Sequence, residues 1–172
     1  VNGMVAIENL KRNNSAKAGD ILLLTKPLGV GILATAQKKG LIETADLTLL
    51  VNQLTTLNKV GAALGKIKGV HAMTDVTGFG LAGHLLEMCR GSNLQAALDW
   101  SSVPVMDEAR ALVQAGIYTG ASTRNWAAYG SQIQAVDGAA NMPDWQRHLL
   151  SDPQTSGGLL LACDPAAEAE VH

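Results

Sequence analysis

The sequence predicts an α+β or α/β fold, in which a mixed or parallel β-sheet is covered by α-helices. Short continuous apolar runs alternate with longer segments whose apolar residues recur at steps of three and four. All five prolines lie between these segments or at their ends. A chain of 172 residues with 47% hydrophobic and 16% charged residues has the length and composition of one domain with a real core. The pattern does not specify the order of the strands.

The first part of the chain predicts one strand and two helices. Residues 21–25 form an apolar run typical of a buried strand, and a Pro-Gly turn separates it from a short helix that begins at about Val30. Residues 44–69 predict one long amphipathic helix, which Thr44 or Asp46 would cap. Its apolar positions are Leu47, Leu50, Val51, Leu54, Leu57, Leu64 and Ile67.

The middle of the chain predicts two more strands and two more helices. Residues 70–77 form a strand and residues 80–91 a helix that ends at a glycine. Residues 94–100 predict a further strand, which leads to Pro104, and residues 106–116 a helix.

The last third begins with a long segment of poor periodicity. Gly, Ser, Thr and Asn are frequent in residues 117–144, which predicts an irregular segment of a length that is often functional or mobile. A polar turn then leads into a buried strand over residues 159–163. Pro165 is expected at the first position of a helix.

Composition argues against several kinds of partner. The net charge of −2 and the aromatic content of 3% give neither a basic surface nor a stacking platform for nucleic acid. No apolar run approaches the ~20 residues of a membrane span, and no secretory signal opens the chain. Cys89 and Cys163 lack CxxC spacing and are expected to be buried thiols in a reducing compartment. We therefore expect a cytoplasmic protein with no nucleic-acid and no membrane partner. The start at Val1, in mid-pattern, is typical of a piece of a longer protein.

Residues 73–88, MTDVTGFGLAGHLLEM, place a carboxylate ahead of a glycine-rich turn. Asp75 ends a strand, and Gly78, Gly80 and Gly83 follow at the opening of a helix. Such a turn offers unpaired backbone amides and the positive end of a helix dipole, which together bind anions. A bare carboxylate beside a bound anion then requires an explanation.

Three interpretations of this turn remain open. In the first, it is a dinucleotide-binding loop, with Asp99 as the acid that binds the ribose. In the second, the glycines only allow tight packing and Asp75 caps the turn. In the third, Asp75 holds Mg²⁺, and the metal bridges to phosphate oxygens that the loop amides also contact.

Other motifs indicate weaker candidates. The segment TKPLGVG could place Lys26 and the amides of Gly29 and Gly31 near a phosphate, although a strand-to-helix turn with a solvated lysine is the favoured interpretation. On the turn SDPQTSGG, Asp152, Thr155 and Ser156 are possible substrate contacts that turn chemistry alone also explains. His84 and Glu87, one helical turn apart, could share a metal, and Phe79 could anchor the loop by packing.

Three stretches occur together in this order: GMVAIENLKRNNSAKAGDILLLTKPLGVGILATA, MTDVTGFGLAGHLLEM and SDPQTSGGLLLA. They resemble the carboxy-terminal half of the selenophosphate synthetase (selenide, water dikinase) family, and the resemblance covers essentially the whole chain. The resemblance implies that residues 1–172 are the carboxy-terminal domain of a two-domain synthetase. It also implies the fold of the corresponding domain of the ATP-dependent purine-biosynthesis synthetases.

The same resemblance implies an activity. Enzymes of this family make selenophosphate from selenide, ATP and water, release AMP and phosphate, require Mg²⁺ and are usually homodimers. The motif places a metal ligand at Asp75 and a phosphate-binding loop that includes Thr77, Gly78 and Gly80. The family's reactive Cys or selenocysteine and its lysine belong to an amino-terminal domain that nothing here matches. We therefore expect no catalytic residue in this chain and no activity of the chain alone. A domain of a related purine-biosynthesis synthetase, or a non-catalytic interaction module, are the alternatives.

Overall fold

The computed structural model describes residues 3–135 and 142–172, and a three-stranded antiparallel sheet is its framework. The strands are β1 (Ile21–Leu24), β2 (Val70–Asp75) and β3 (Leu159–Cys163), and their order is β1-β3-β2. The last strand in the sequence thus lies in the middle, antiparallel to both neighbours. Leu24 pairs with Leu160 and Asp75 with Leu159. Both outer strands therefore end where the central strand begins, at one end of the sheet.

Eight helices surround this sheet in the described residues. They are α1 (Val30–Lys38), α2 (Thr44–Thr55), α3 (Gly61–Leu64), α4 (Gly80–Ser92), α5 (Asp107–Gln114), α6 (Gly120–Tyr129), α7 (Asp144–Leu150) and α8 (Glu168–Val171). Side chains of α4 pack on one face of the sheet around Leu160 and Ala162. Side chains of α3 pack on the other face around Leu161 and Cys163. A third apolar cluster joins α1, α2, α5 and α7.

The fold class is confirmed in its α+β form. The three strands pair antiparallel, and within the described residues parallel pairing occurs only at two isolated bridges, Arg12 to Ala72 and Leu28 to Val105. The sequence analysis expected a mixed or parallel sheet, and the three described strands pair antiparallel. An alternation of strands and helices does not specify strand direction when the connecting helices, as here, return the chain to either end of the sheet.

Three predicted elements need correction. The long helix over 44–69 is wrong: α2 ends at Thr55, and Leu57 and Val60 are exposed in the break before α3. The strand over 94–100 is also wrong. Those residues carry no strand, and Asp99 instead caps a 3₁₀ turn by accepting from the Ser101 amide at 2.9 Å.

The irregular segment over 117–144 is wrong where it covers α6, and residues 136–141 of it lie outside the described residues. The Thr119 side chain accepts from the Ser122 amide at 2.9 Å and so caps α6. Glycine, serine and threonine near the start of α6 have low helix propensity, and tertiary packing of Tyr129 and Ser122 compensates for it.

Candidate functional site

Three polar segments meet at the end of the sheet where β1 and β2 end and β3 begins. They are the residues after β1 (25–31), the glycine-rich loop after β2 (76–80) and the turn before β3 (151–158). Backbone hydrogen bonds tie the last two segments together. The Val76 amide donates to the Gly158 carbonyl at 2.9 Å, and the Gln154 amide donates to the Thr77 carbonyl at 3.0 Å. The sheet topology thus brings together the three motifs that the sequence analysis singled out.

The glycine-rich loop offers backbone donors beside a carboxylate. Asp75 is exposed at the tip of β2. Within residues 3–135 and 142–172, the amides of Thr77, Gly78 and Phe79 donate to no carbonyl and no side chain. Gly78 is exposed, and a side chain there would meet nothing within 4 Å. The loop therefore has both unsatisfied donors and room for a ligand to approach.

Gly80 has a different place in the loop. Its φ of +69° favours glycine, and an added Cβ would lie 2.7 Å from the Leu150 carbonyl oxygen. Its amide already donates to the Thr77 carbonyl at 3.1 Å. Gly80 thus shapes the loop and packs it against the end of α7, and its contact with phosphate stays a prediction.

Helix α6, which the sequence analysis missed, holds this loop from outside. The Asn125 amide group donates to the carbonyls of Gly78 at 2.8 Å and Ser151 at 3.0 Å. The buried Tyr129 hydroxyl donates to the Phe79 carbonyl, and burial raises the pKa of Tyr129 so that it stays a donor. Two sequence signals for α6 were available. Thr119 is a suitable N-cap residue, and the four-residue spacing from Asn125 to Tyr129 places both side chains on one face of a helix.

His84, on the first turns of α4, lies against the same loop. Its Nε2 is 3.1 Å from the Thr77 hydroxyl oxygen, and its Nδ1 is 3.8 Å from Glu87 Oε2. The described residues contain no group of three His, Cys, Asp or Glu side chains that could hold a metal ion. The His84–Glu87 pair therefore lacks the further protein ligands of a zinc-type site.

The turn before β3 caps helix α1 instead of binding a ligand. The Asp152 carboxylate, 0% exposed, accepts from the Gly31 amide at 2.9 Å, and the Gln154 side-chain oxygen accepts from the Gly29 amide at 3.2 Å. The Gln154 amide group in turn donates to Asp152 Oδ2 at 2.8 Å. A direct substrate contact by Asp152 and a phosphate site on the Gly29 and Gly31 amides were therefore wrong predictions. Thr155 and Ser156, by contrast, are exposed.

Desolvation dominates the electrostatics of this cap. Burial raises the pKa of Asp152 to about 7, and the donors from Gln154 and the α1 backbone oppose that rise. Among the described residues, Asp152 Oδ1 has no hydrogen-bond partner. All the donors to this carboxyl group, the amides of Gly31 and Ile32 and the Gln154 side chain, thus bind the same oxygen, Oδ2.

Lys26 belongs to the same framework. Its Nζ donates to the carbonyls of Thr56 at 2.6 Å and Ser156 at 2.7 Å, and the residue is 7% exposed. Burial lowers its pKa. Lys26 is thus buried, and the prediction of a solvated lysine was wrong, whereas a phosphate contact by its third N–H stays a prediction. Lys26 joins Thr56, the residue that follows α2, to the turn before β3.

Two further interpretations of the loop fail. The dinucleotide interpretation needs Asp99 at the end of a strand, whereas Asp99 caps a 3₁₀ turn and hydrogen bonds from Ser101 lower its pKa. Phe79 is 62% exposed and so does not anchor the loop by packing its ring.

The residues present suit a partial magnesium site. Asp75 can supply one carboxylate oxygen, and Mg²⁺ is commonly bound by one or two carboxylates, with water and substrate phosphates completing its octahedron. The loop amides lie next to that carboxylate along the chain and can donate to the same phosphates. Asp75 as the metal ligand stays a prediction. No helix among the described residues is long and apolar enough to cross a membrane.

Comparisons with known proteins show the family of this chain. The family model of AIR synthase related protein, C-terminal domain, matches residues 17–172. The chain is 51% identical over 169 residues to a selenide, water dikinase of Dechloromonas aromatica, covering 98% of this chain and 48% of that protein. It is 50% identical over 171 residues to a selenide, water dikinase of Aeromonas hydrophila, covering 99% and 48%. The chain thus spans about half the length of these curated relatives.

Solved structures show the same fold at low identity. The thiamine-monophosphate kinase of Stenotrophomonas maltophilia superposes with a TM-score of 0.64 at 19% identity, covering 98% of this chain and 46% of that one. The hydrogenase maturation protein HypE in complex with ATP superposes with a TM-score of 0.65 at 19% identity, covering 97% and 41%. The chain shares about half of its residues with selenide, water dikinases. It belongs to the family of AIR synthase related proteins and matches the C-terminal domain of that family.

Proposed function

We propose that this chain is the carboxy-terminal domain of a selenide, water dikinase, an enzyme that makes selenophosphate from selenide, ATP and water and releases AMP and phosphate. The identity of about half of all residues to curated dikinases supports the activity, because it extends over nearly the whole chain. In this proposal residues 1–172 are one domain, and an amino-terminal domain supplies the rest of the ATP site.

The observation that carries the proposal is the set of unsatisfied amides beside Asp75. The Asp75 carboxylate holds Mg²⁺, and the amides of Thr77 and Gly78 donate to phosphate oxygens of ATP. Gly80 contributes the backbone shape that presents these amides. When bound, Mg²⁺ supplies positive charge that offsets the charge of the phosphates. The carboxylate at the mouth of an anion site is then explained, because it binds the cation that accompanies the anion.

The remaining components lie in the proposed other half. The reactive cysteine or selenocysteine and the catalytic lysine belong to the amino-terminal domain, so this chain carries no catalytic residue. The complete enzyme is a cytoplasmic homodimer. The chain alone is expected neither to hydrolyse ATP nor to form selenophosphate, and robust ATP hydrolysis by the purified chain would contradict that assignment.

A chimera tests the activity directly. This chain replaces the matching half of the Dechloromonas aromatica dikinase, and selenophosphate formation from selenide and ATP is followed by ³¹P NMR. We expect the chimera to be active, and we expect Asp75→Asn to lower its kcat/KM by more than about tenfold, the lower range for changes that perturb a metal site. Asp107→Asn, at an exposed carboxylate on α5, is the matched control and should leave the activity unchanged.

Two outcomes of this experiment would count against the proposal. A folded chimera that forms no selenophosphate would contradict the activity. An active chimera in which Asp75→Asn has full activity would remove Asp75 from the metal site.

A further inference from the structure

A histidine and a glutamate on α4 form a chain of polar contacts that ends at the glycine-rich loop. His84, 8% exposed, has its Nε2 3.1 Å from Thr77 Oγ1. Its Nδ1 faces Glu87 Oε2 at 3.8 Å. The other carboxylate oxygen, Glu87 Oε1, accepts from the Asn13 side chain at 2.9 Å.

The groups around His84 indicate which of its two ring nitrogens carries the proton. Within the described residues, His84 Nδ1 is buried and has no hydrogen-bond partner. A neutral imidazole carries its proton on one nitrogen only. A proton on Nδ1 would be attracted by the Glu87 carboxylate oxygen, 3.8 Å from that nitrogen, whereas a proton on Nε2 would leave the Nδ1 lone pair near a negative charge. The carboxylate therefore favours the Nδ1–H tautomer, even though solvent around the exposed Glu87 weakens the attraction.

The tautomer decides what the Thr77 hydroxyl can do. With its proton on Nδ1, His84 presents only a lone pair at Nε2, so the 3.1 Å contact is a hydrogen bond that Thr77 donates. A hydroxyl has one proton and two lone pairs. Once that proton points at His84, Thr77 has no side-chain donor left for a phosphate, and its oxygen presents lone pairs instead.

We propose that Glu87 and His84 are positioning residues that turn the Thr77 hydroxyl oxygen into a ligand for the divalent cation held by Asp75. This inference rests on the proposed function and refines it. Thr77 serves the two components of a metal–nucleotide complex separately, because its backbone amide donates to phosphate while its side-chain oxygen faces the cation. Mg²⁺ and Mn²⁺ both accept such neutral oxygen ligands beside a carboxylate. Asp75 ends β2, and Thr77 follows it by two residues in the glycine-rich loop.

The tautomer is tested without any ligand. Long-range ¹H–¹⁵N NMR spectra of the labelled chain separate the two tautomers, and the signals of His84, one of four histidines, are identified by their loss in His84→Gln. We expect an unprotonated Nε2. Glu87→Leu should shift the population toward the Nε2–H form, whereas Glu170→Leu, at an exposed glutamate on α8, should not. A protonated Nε2 in the unsubstituted chain, or no shift in Glu87→Leu, would overturn the inference.

The cation ligand is tested with Mn²⁺ alone, whose free concentration is followed by EPR and whose position is followed by NMR line broadening. We expect Mn²⁺ to broaden the signals of Asp75 and Thr77 first. Thr77→Val, which keeps the shape but loses the hydroxyl, should weaken binding several-fold, and Thr77→Ser should retain it. Equal Mn²⁺ affinity in Thr77→Val and the unsubstituted chain would overturn the inference.

Asp75→Asn separates this inference from the proposed function. If Asp75→Asn weakens Mn²⁺ binding and Thr77→Val does not, the metal site stands and the role of Thr77 is rejected. If neither substitution changes Mn²⁺ binding, both are rejected. An equal fall of the Mn²⁺ affinity in Thr77→Ser and Thr77→Val would show that the hydroxyl, which serine retains, is not the ligand, and that result also overturns the inference.

Discussion

Replacing Asp152 with asparagine should remove a pH dependence of stability that this buried carboxyl group creates. Asparagine keeps a side-chain oxygen for the amides of Gly31 and Ile32 and for the Gln154 side chain, so the cap of α1 is retained. What it removes is the ionisation. Its side chain is neutral at every pH and so resembles the protonated form of Asp152.

The magnitude follows from the raised pKa. The pKa of Asp152 is about 7 in the folded protein, against 3.8 for an unperturbed aspartate. The folded state therefore holds the proton more tightly than the unfolded state does. The protonated Asp152 side chain therefore raises the free energy of unfolding. This stabilisation is fully present below pH 3.8 and is lost as the pH rises to about 7. At about 1.4 kcal/mol for each pKa unit, the loss is at most about 4 kcal/mol.

Urea unfolding at a series of pH values measures this effect. Other groups titrate over the same range, so the useful quantity is the difference between the unsubstituted chain and Asp152→Asn at each pH. We expect the unsubstituted chain to lose stability relative to the variant as the pH rises from 4 to 8. Asp107→Asn, an exposed carboxylate, should produce no such trend. A difference that stays constant with pH would refute the argument, because it would mean that Asp152 is ionised throughout and its donors outweigh its desolvation.

Three further substitutions, two of them with a matched control, test the framework of the site. Gly80→Ala should destabilise the fold by several kcal/mol, because it combines a positive φ with a backbone clash, whereas Gly78→Ala, which meets open space, should leave the urea midpoint unchanged. Lys26→Met should cost about 1–3 kcal/mol in urea unfolding, since it removes the donor of two partly buried hydrogen bonds, and Lys66→Met, at an exposed lysine, is its control. Tyr129→Phe should cost about 1 kcal/mol and speed amide hydrogen exchange in the loop, and unchanged exchange would show that the hydroxyl does not hold it.

Local sequence patterns predicted the elements that depend on neighbouring residues. The apolar runs of β1 and β3 and the amphipathic pattern of α4 were confirmed close to their predicted bounds. The failures lie where distant contacts decide. The apolar periodicity of the sequence continues through Leu57, but α2 ends at Thr55. The next carbonyl, that of Thr56, accepts a hydrogen bond from the distant Lys26 side chain. Conversely, α6 has a weak local signal and forms because Tyr129 and Ser122 are buried against the rest of the domain.

The candidate site shows the same division. The chain contains two glycine-rich strand-to-helix turns, KPLGVG before α1 and DVTGFG before α4, and both have the local chemistry of an anion site. Their sequence alone determined that each would present backbone amides at a helix start. Only the tertiary structure decided which amides stay available. Asp152, 121 residues along the chain from Gly31, fills the first turn, and the second remains open beside Asp75. The physical reason is that a backbone amide donates to any well-placed oxygen, and only the folded chain determines whether that oxygen belongs to the protein or to a ligand.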